Sequence, residues 1–585
     1  MKIRLKKSPN KAPMRMARKN FRDEKAKLLP EPGRIPREDT ASVMKFYNLH
    51  KGFPKAVRAE AEQLAKENVL PDGRLDLRKK FIFTCDPQSA RDFDDALSFE
   101  KDRLSRRVLG VHIADVSHYV KPGSAIDKEA FKRSTSVYLA DEVLPMLPEE
   151  LSNGLCSLVP NEDRYAFSVF ITFDKHGEVV KTSFAKSIIR SKARLEYAQV
   201  MGIILGAEVP GIGKKEAKTI QKINELAKEL RAKRFANGAL DLEIPEMEVI
   251  LDGAGEMSGL VARPYDESHQ MVEECMVAAN EAVAKELWTH GVKILSRFHD
   301  VPEAEKLYNL RAELHPLGIK TGNLENRKVF AQFLQKIKSS PLYPTVALMV
   351  LRSMKRAVYD SKEMGHWGLA KRFYSHFTSP IRRYPDLTLH RQLAAYLEKD
   401  VANYKIGAAV LAKWAKHTSE MEERAAEAER ALLEIKKYRL LEEEIISHTK
   451  VEYEGIISKC EKFGCFVDIQ ELAVSGLVHI SMLAPGYVKY NYNDHSLSMP
   501  GGRSWHIGDS LRVKIASVDY KNRRLDFVPA DYLERAQNNR FDRKQKYSKS
   551  ENSTEENDGK RKNRKMKFYN NSYKGKRKHG TNRTH

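Results

Sequence analysis

Five cysteines in 585 residues form no Cys-x-x-Cys pair: Cys85, Cys156, Cys275, Cys460 and Cys465 are scattered and odd in number. That argues against a disulfide framework or a structural zinc site and points to a reducing compartment, the cytoplasm. Cys460 and Cys465 lie close together in a strand-rich stretch, where buried small hydrophobes are expected. No apolar run reaches 18 residues, so no membrane span is expected. The N-terminus is charged throughout and lacks the apolar stretch of a secretion signal. It is also Lys-rich and Ser-poor, unlike a transit peptide. One phosphate-loop lookalike runs from Gly206 to Lys215. Lys does not follow Gly211, the second correctly spaced glycine, and no Ser or Thr follows Lys214, so no ATP-driven motor is expected.

Net charge is scarce in the body of the chain and concentrated at its ends. Of the formal +23, residues 1–27 carry +9 and residues 534–585 carry +11, leaving +3 on everything between. Neither end has a periodic apolar pattern, so both read as disordered arms whose pull on a polyanion is sequence-independent and salt-sensitive. The length predicts several domains. Strand-like runs dominate 81–170. Helical periodicity covers 54–68, 215–236, 269–290, 303–316, 327–338, 345–359, 385–398 and a long charged stretch over 407–445. From Lys450 the period changes to strands. The expected organisation is a basic disordered arm (1–40), a short helical linker (41–80), an α/β domain (81–445), an all-β domain (448–530) and a basic disordered tail (534–585).

Within ten residues the chain places four aspartates, Asp86, Asp92, Asp94 and Asp95, with only Arg91 to offset them. Crowded carboxylates resist ionising beside one another, so folding them together is costly unless a cation arrives. Magnesium suits them, because it takes oxygen ligands and keeps waters and positions for substrate phosphates. A solvated acidic loop is the plainer reading. However, Phe81-Ile82-Phe83-Thr84 before the cluster and Ala96-Leu97-Ser98-Phe99 after it look like buried strands. A calcium loop lacks its glycine and terminal glutamate. An Asp-x-Asp nucleophile wants its first aspartate at a strand tip, whereas Asp92 follows Ser-Ala-Arg.

Three further segments join the cluster: Ser134-Thr135-Ser136-Val137-Tyr138-Leu139, His269 through Glu273, Glu274 and Asn280, and His376-Phe377-Thr378-Ser379-Pro380-Ile381-Arg382-Arg383-Tyr384-Pro385-Asp386. Together they closely resemble the RNase II/RNB family of 3′-to-5′ exoribonucleases, its ribonuclease R branch in particular, over about 75–530. The resemblance implies a catalytic domain with a mixed sheet wrapped by helices and RNA threading into a channel. Asp86, Asp92 and Asp95 then look like Mg²⁺ ligands, and Asp94 like the decisive catalytic acid, holding a second metal or the attacking water. Arg382 matches the family arginine that grips the scissile phosphate, and a planar guanidinium is suited to that. Tyr138, which alone would read as core, matches the aromatic that stacks the 3′-terminal base. Arg383 orients neighbours or contacts RNA phosphate. The second stacking aromatic falls at Phe298 or His299, and Glu273, Glu274 and Asn280 share a helix on which i and i+7 face one way.

Lys450 to Phe527 resembles an S1 domain, an OB-type barrel, with Phe463, Phe466 and His479 as its base-stacking platform. Family members usually carry two cold-shock barrels ahead of the catalytic domain, and the 80 residues before the aspartates are too short for a pair. The resemblance further implies processive hydrolysis of single-stranded RNA to nucleoside 5′-monophosphates, a role in RNA turnover and a monomeric state. The ribosome or the RNA-degradation machinery are candidate partners, with no ATP and no membrane involved. The rivals are a pseudo-nuclease, which would lose the acids, and an endonuclease.

Overall fold

The computed structural model describes residues 28–67, 73–242, 244, 246–340, 342–447, 451–484, 486–492, 494–500 and 502–532. The chain divides into two compact units, one ending at Pro529 and one beginning at Ala530, and the strands and helices belong to the first.

Two short helices, α1 (Asp39–Phe46) and α2 (Lys55–Lys66), precede a seven-stranded sheet. Its strands are β1 (Leu75–Asp76), β2 (Phe83–Asp86), β3 (Asp95–Lys101), β4 (Arg107–Ala114), β7 (Asp163–Phe173), β8 (Val179–Arg190) and β9 (Ala193–Glu196). The spatial order is β1-β8-β7-β4-β3-β2-β9, with the two outer pairs parallel and the rest antiparallel. This is the mixed sheet that the family resemblance implies. The near-continuous apolar run of β4 suits a strand buried on both faces.

Helix α3 (Ala125–Arg133), the hairpin β5 (Val137–Tyr138) and β6 (Val143–Leu144), and a π-helical turn (Glu150–Leu155) cross one side. There Val57, Ile126, Ala130 and Leu151 pack with Ile82, Ala96 and Ala166 of the sheet. The other face carries Leu109, Val111, Ile113 and Val169. It is covered by α4 (Tyr197–Ile204), α5 (Lys214–Ala236) and α6 (Glu267–Thr289), through Val200, Ile223, Leu226, Met271 and Cys275. A polar ladder runs inside the sheet. The Nε2 of His112 is 2.9 Å from the Ser98 hydroxyl and its Nδ1 2.7 Å from that of Ser168, and burial holds the imidazole neutral, its pKa lowered to about 3. Gly110 must be glycine, because a Cβ there would sit 2.3 Å from the Ser98 oxygen.

Beyond the hairpin β10 (Met247–Leu251) and β11 (Met257–Ala262), the paired strands β12 (Ser296–Phe298) and β13 (Val358–Asp360) flank three helices, α7 (Ala304–Leu314), α8 (Arg327–Ile337) and α9 (Tyr343–Ser353). The helical pattern read over 345–359 stops at Ser353. The Ser353 hydroxyl donates back to the Val350 carbonyl, Met354 is extended, and Val358-Tyr359 join β12 instead.

Helix α10 (Tyr384–Leu397) and the 39-residue α11 (Ala408–Ile446) complete this part. Five strands then close a barrel in the order β14-β15-β16-β21-β20: β14 (Tyr453–Glu461), β15 (Gly464–Ile469), β16 (Val474–His479), β20 (Ser510–Asp519) and β21 (Arg524–Pro529). A small sheet, β17 (Lys489–Asn491), β18 (Ser496–Ser498) and β19 (Ser504–Trp505), is inserted between them. Cys460 and Cys465 lie opposite each other in the barrel as buried free thiols.

One expectation fails in part. Composition predicts a disordered basic arm over 1–40, yet Leu29, Asp39 and Thr40 are buried. Val43 and Tyr47 pack on Ala428, Leu432 and Ile435 of α11, and the Asp39 carboxylate meets Lys436 and Arg439. Apolar anchors are sparse here, so the charge composition hid a segment held by ion pairs. Residues 1–27 and 533–585, the most basic stretches, lie outside the described residues.

Candidate active site

The aspartates sit on the connection between β2 and β3 and at its two strand ends. Asp86 ends β2 and Asp95 begins β3. Backbone contacts fix the loop between them. Arg194 donates to the carbonyls of Pro87 and Gln88, both at 2.9 Å. The buried Ser157 hydroxyl donates to the Arg91 carbonyl at 2.7 Å and accepts from the Phe93 N–H at 3.0 Å. The Ala114 N–H reaches the Asp94 carbonyl at 2.8 Å. Neither Arg194 nor Ser157 carries a sequence signal of its own. Each acts on backbone atoms far away in the chain, and no local spacing encodes that.

Asp94 is 4 % exposed. Its Oδ1 accepts from the Ile381 N–H at 2.9 Å, and its Oδ2 lies 3.8 Å from the Nε of Arg382. The structure therefore joins the aspartate loop to the Ser379-to-Asp386 turn, which sequence reading places together by resemblance alone. The Arg382 guanidinium is 43 % exposed and also reaches the Ser379 hydroxyl at 3.1 Å. It is an accessible cation mounted over a buried carboxylate. Arg383 is turned inward. Its Nε and a terminal nitrogen clamp the fully buried Asp386 at 2.9 and 2.7 Å, and Asp386 in turn accepts from the Ser379 N–H. Of the two expectations for Arg383, orienting its neighbours is the one this geometry supports.

Asn280 belongs to the same support. It is buried, accepts from the Phe377 N–H at 2.7 Å and donates to the Tyr374 hydroxyl at 3.3 Å. Asn280→Ala leaves the Phe377 N–H without a partner, and a loss of about 1–3 kcal/mol in stability is expected, checked by chemical denaturation. Glu273 and Glu274 pair with the buried Arg234 and have a structural part. His299 has both ring nitrogens engaged by backbone, at Lys355 and Gly368, and both it and Phe298 are half-buried.

Tyr138 stands at the end of β5 with 43 % of its surface exposed. Its N–H donates to Glu429 of α11 at 2.9 Å, and its hydroxyl is 3.4 Å from Asp92 Oδ2. The hairpin and the Arg382 turn are stitched together, with Ser136 N–H donating to the Arg382 carbonyl at 3.0 Å and Tyr384 N–H to that of Ser134 at 2.9 Å. Phe463, Phe466 and His479 form a second locus, on the barrel. Phe463 is 46 % exposed, the two phenyl rings meet edge-on at 6.2 Å, and His479 pairs with Gly464 beside them.

Burial pushes all four carboxyls toward their neutral form. Asp86 is raised to about 8, with Asp95 as the next cause, and Asp95 to about 6. Asp92 and Asp94 are raised by the same desolvation, partly offset by Arg382. Asp86 Oδ2 and Asp94 Oδ2 are buried without a hydrogen-bond partner. Two orphaned anionic oxygens among four aspartates fit a hard divalent cation. Among the described residues, no group of three or more acidic, histidine or cysteine side chains is arranged to hold a metal ion.

Comparison with known proteins agrees with this geometry. The RNB domain family matches residues 74–399, and the S1 RNA binding domain family matches residues 449–528. Ribonuclease R of Thermotoga maritima is 41% identical over 511 residues, which span 86% of this chain and 69% of that protein. Ribonuclease R of Escherichia coli is 34% identical over 494 residues, 81% of this chain and 60% of that protein. The fold matches the structure of Mycoplasma genitalium RNase R in complex with ribose-methylated single-stranded RNA. That match has a TM-score of 0.77 and 28% identity and covers 85% of this chain and 78% of that one. The chain belongs to the RNB family of 3′-to-5′ exoribonucleases, among the ribonuclease R enzymes.

Proposed function

We propose that this chain hydrolyses single-stranded RNA processively from its 3′ end, releasing nucleoside 5′-monophosphates with Mg²⁺ as its metal. The observation that carries this reading is the half-exposed Arg382 over the buried, hydrogen-bond-deficient Asp94, with the open ring of Tyr138 beside Asp92. Asp86, Asp92, Asp94 and Asp95 would hold the metal, which supplies Lewis-acid polarisation of the phosphate and a water of lowered pKa. The Arg382 fork grips two phosphate oxygens and offsets the charge that develops on them. The Tyr138 ring stacks the terminal base without choosing among bases, since every base offers a π-face, and Phe298 or His299 is the second stacking group. The ribose 2′-hydroxyl is the group that distinguishes RNA from DNA here. Upstream nucleotides would lie on Phe463, Phe466 and His479, with the basic ends adding salt-sensitive attraction. The protein acts as a cytoplasmic monomer in RNA turnover, beside the ribosome or the degradation machinery.

Uniformly labelled RNA digested by the enzyme should yield labelled 5′-monophosphates as Mg²⁺ is restored to the chelated protein. Nucleoside 3′-phosphates, or undiminished activity in chelator, would refute the assignment. A thermodynamic outcome follows from the same groups. Unfolded aspartates titrate near 4, while Asp95 and Asp86 are raised to about 6 and about 8 in the fold. The folded state therefore binds more protons over that window, and the metal-free protein loses stability as pH climbs through it. Mg²⁺ offsets the cost of keeping these buried carboxylates charged, so its increase in Tm is expected to be larger at pH 8 than at pH 5. An equal increase at both values would contradict the proposed ligands.

A further inference from the structure

Residues 29–47 cross the long helix α11 and end against the hairpin that carries Tyr138. Asp39 and Lys436 are both 0 % exposed, with the Nζ of Lys436 3.1 Å from Asp39 Oδ2. The same ammonium donates to the carbonyls of Pro36 at 2.5 Å and Gly255 at 2.7 Å. Arg439 closes the other side of Asp39, with contacts of 2.9 and 2.7 Å, and donates to the Gly33 carbonyl at 2.6 Å. The Asp39 charge is thus compensated on two sides, and the segment is locked to α11. One residue further on, the Thr40 hydroxyl lies 2.7 Å from both oxygens of Asp141, in the turn between β5 and β6. Lys51 pairs with the adjacent Glu142. Val43 and Tyr47 share an apolar cluster with Val137, Leu139 and Leu144 of the same hairpin and with Ala428 and Leu432 of α11. The hairpin itself is only two residues per strand, too short to hold its own geometry. A further tether, Glu429 to the Tyr138 N–H, also comes from α11, while Ser134 and Ser136 tie the base of the hairpin to the Arg382 turn.

We propose that residues 29–47 form a clasp that fixes the Tyr138 hairpin, with Thr40 the positioning residue that sets where the Tyr138 ring receives the 3′-terminal base. The inference rests on the stacking role given to Tyr138 above. A clasp of this kind acts on ground-state capture of the RNA end. It acts on the hairpin and not directly on the aspartates or Arg382, and the hairpin reaches them only through the Ser136 N–H on the Arg382 carbonyl and the Tyr138 hydroxyl beside Asp92, so the change is read mainly in KM and much less in kcat.

The test uses the full chain and a short single-stranded oligoribonucleotide, comparing Thr40→Val, Thr40→Ser, Tyr138→Ala and the Thr40→Val/Tyr138→Ala pair. Thr40→Val is expected to raise KM about five-fold, the factor of one ordinary hydrogen bond, with kcat within about two-fold of the wild type. Thr40→Ser, which keeps the hydroxyl, restores KM. In the double variant the Thr40→Val effect vanishes, because the ring it positions is gone. Should Thr40→Val lower Tm and the active fraction while KM stays put, the segment is merely structural and the proposal is overturned. Full additivity with Tyr138→Ala overturns it as well. If Tyr138→Ala itself leaves KM unchanged, the stacking role falls and the clasp falls with it. A KM effect at Tyr138 without one at Thr40 refutes the clasp alone.

Discussion

Asp94→Asn is expected to cut RNA hydrolysis by at least about 10³-fold while RNA binding persists. The buried Asp94 offers one oxygen to the Ile381 N–H and leaves the other without a partner. An amide can keep the first contact, because its carbonyl oxygen still accepts. The charge that would face a cation is what disappears. Folding is not threatened: desolvation already drives the carboxyl well above its ordinary pKa, so a neutral isostere removes a cost. The melting temperature of the variant in chelator is therefore expected to match or exceed that of the wild type. A variant that cuts at near wild-type rate would displace Asp94 from the chemistry. One that loses RNA binding together with activity would make it a structural group.

Arg382→Ala is expected to lower kcat by about 10²–10³-fold, the usual cost of removing a preorganised donor from a developing oxyanion. The side chain is 43 % exposed, and beyond its approach to Asp94 it holds the Ser379 hydroxyl, so its removal should barely move Tm. Arg382→Lys keeps the charge but loses the planar fork and should still fall short by more than about ten-fold. Asp386→Asn probes the same turn indirectly. It weakens the hold on Arg383 and the Ser379 N–H, so it should lower stability and activity together, whereas Arg382→Ala lowers activity alone. Equal losses of stability in the two variants would contradict the division between a reacting group and its support.

Much of this site is legible in the sequence because its chemistry is compressed. Four aspartates in ten residues, between two apolar runs, announce a charge problem that only a site resolves. The apolar flanks, Phe81 to Thr84 and Ala96 to Phe99, already wedge the acids between two buried strands, and the structure extends these strands to Asp86 and Asp95. What the sequence hides are contacts made to backbone. Ser157 and Arg194 shape the aspartate loop through carbonyls, and any residue pattern can supply a carbonyl. The different settings of Arg382 and Arg383 are hidden for a related reason. Two adjacent arginines look alike in a sequence, and only the position of Asp386 in the first turn of α10 decides which is clamped and which is free. Residues 28–40 escape notice because their anchors are ion pairs with α11, 400 positions away, while their composition reads as solvated. The helix break at Ser353 is invisible to periodicity, since Val358 and Tyr359 continue an apolar pattern that strand pairing with β12 takes over.

The central claim is that the Asp94–Arg382 pair and the Tyr138 ring form one site that removes nucleotides from the 3′ end. A time course on 5′-labelled single-stranded RNA with Mg²⁺, resolved to single nucleotides, addresses it most directly. Label is expected to stay on long RNA and then to appear in a short terminal product, with Asp94→Asn holding the RNA intact and bound. Discrete internal fragments, or immediate release of the labelled 5′ nucleotide, would contradict it.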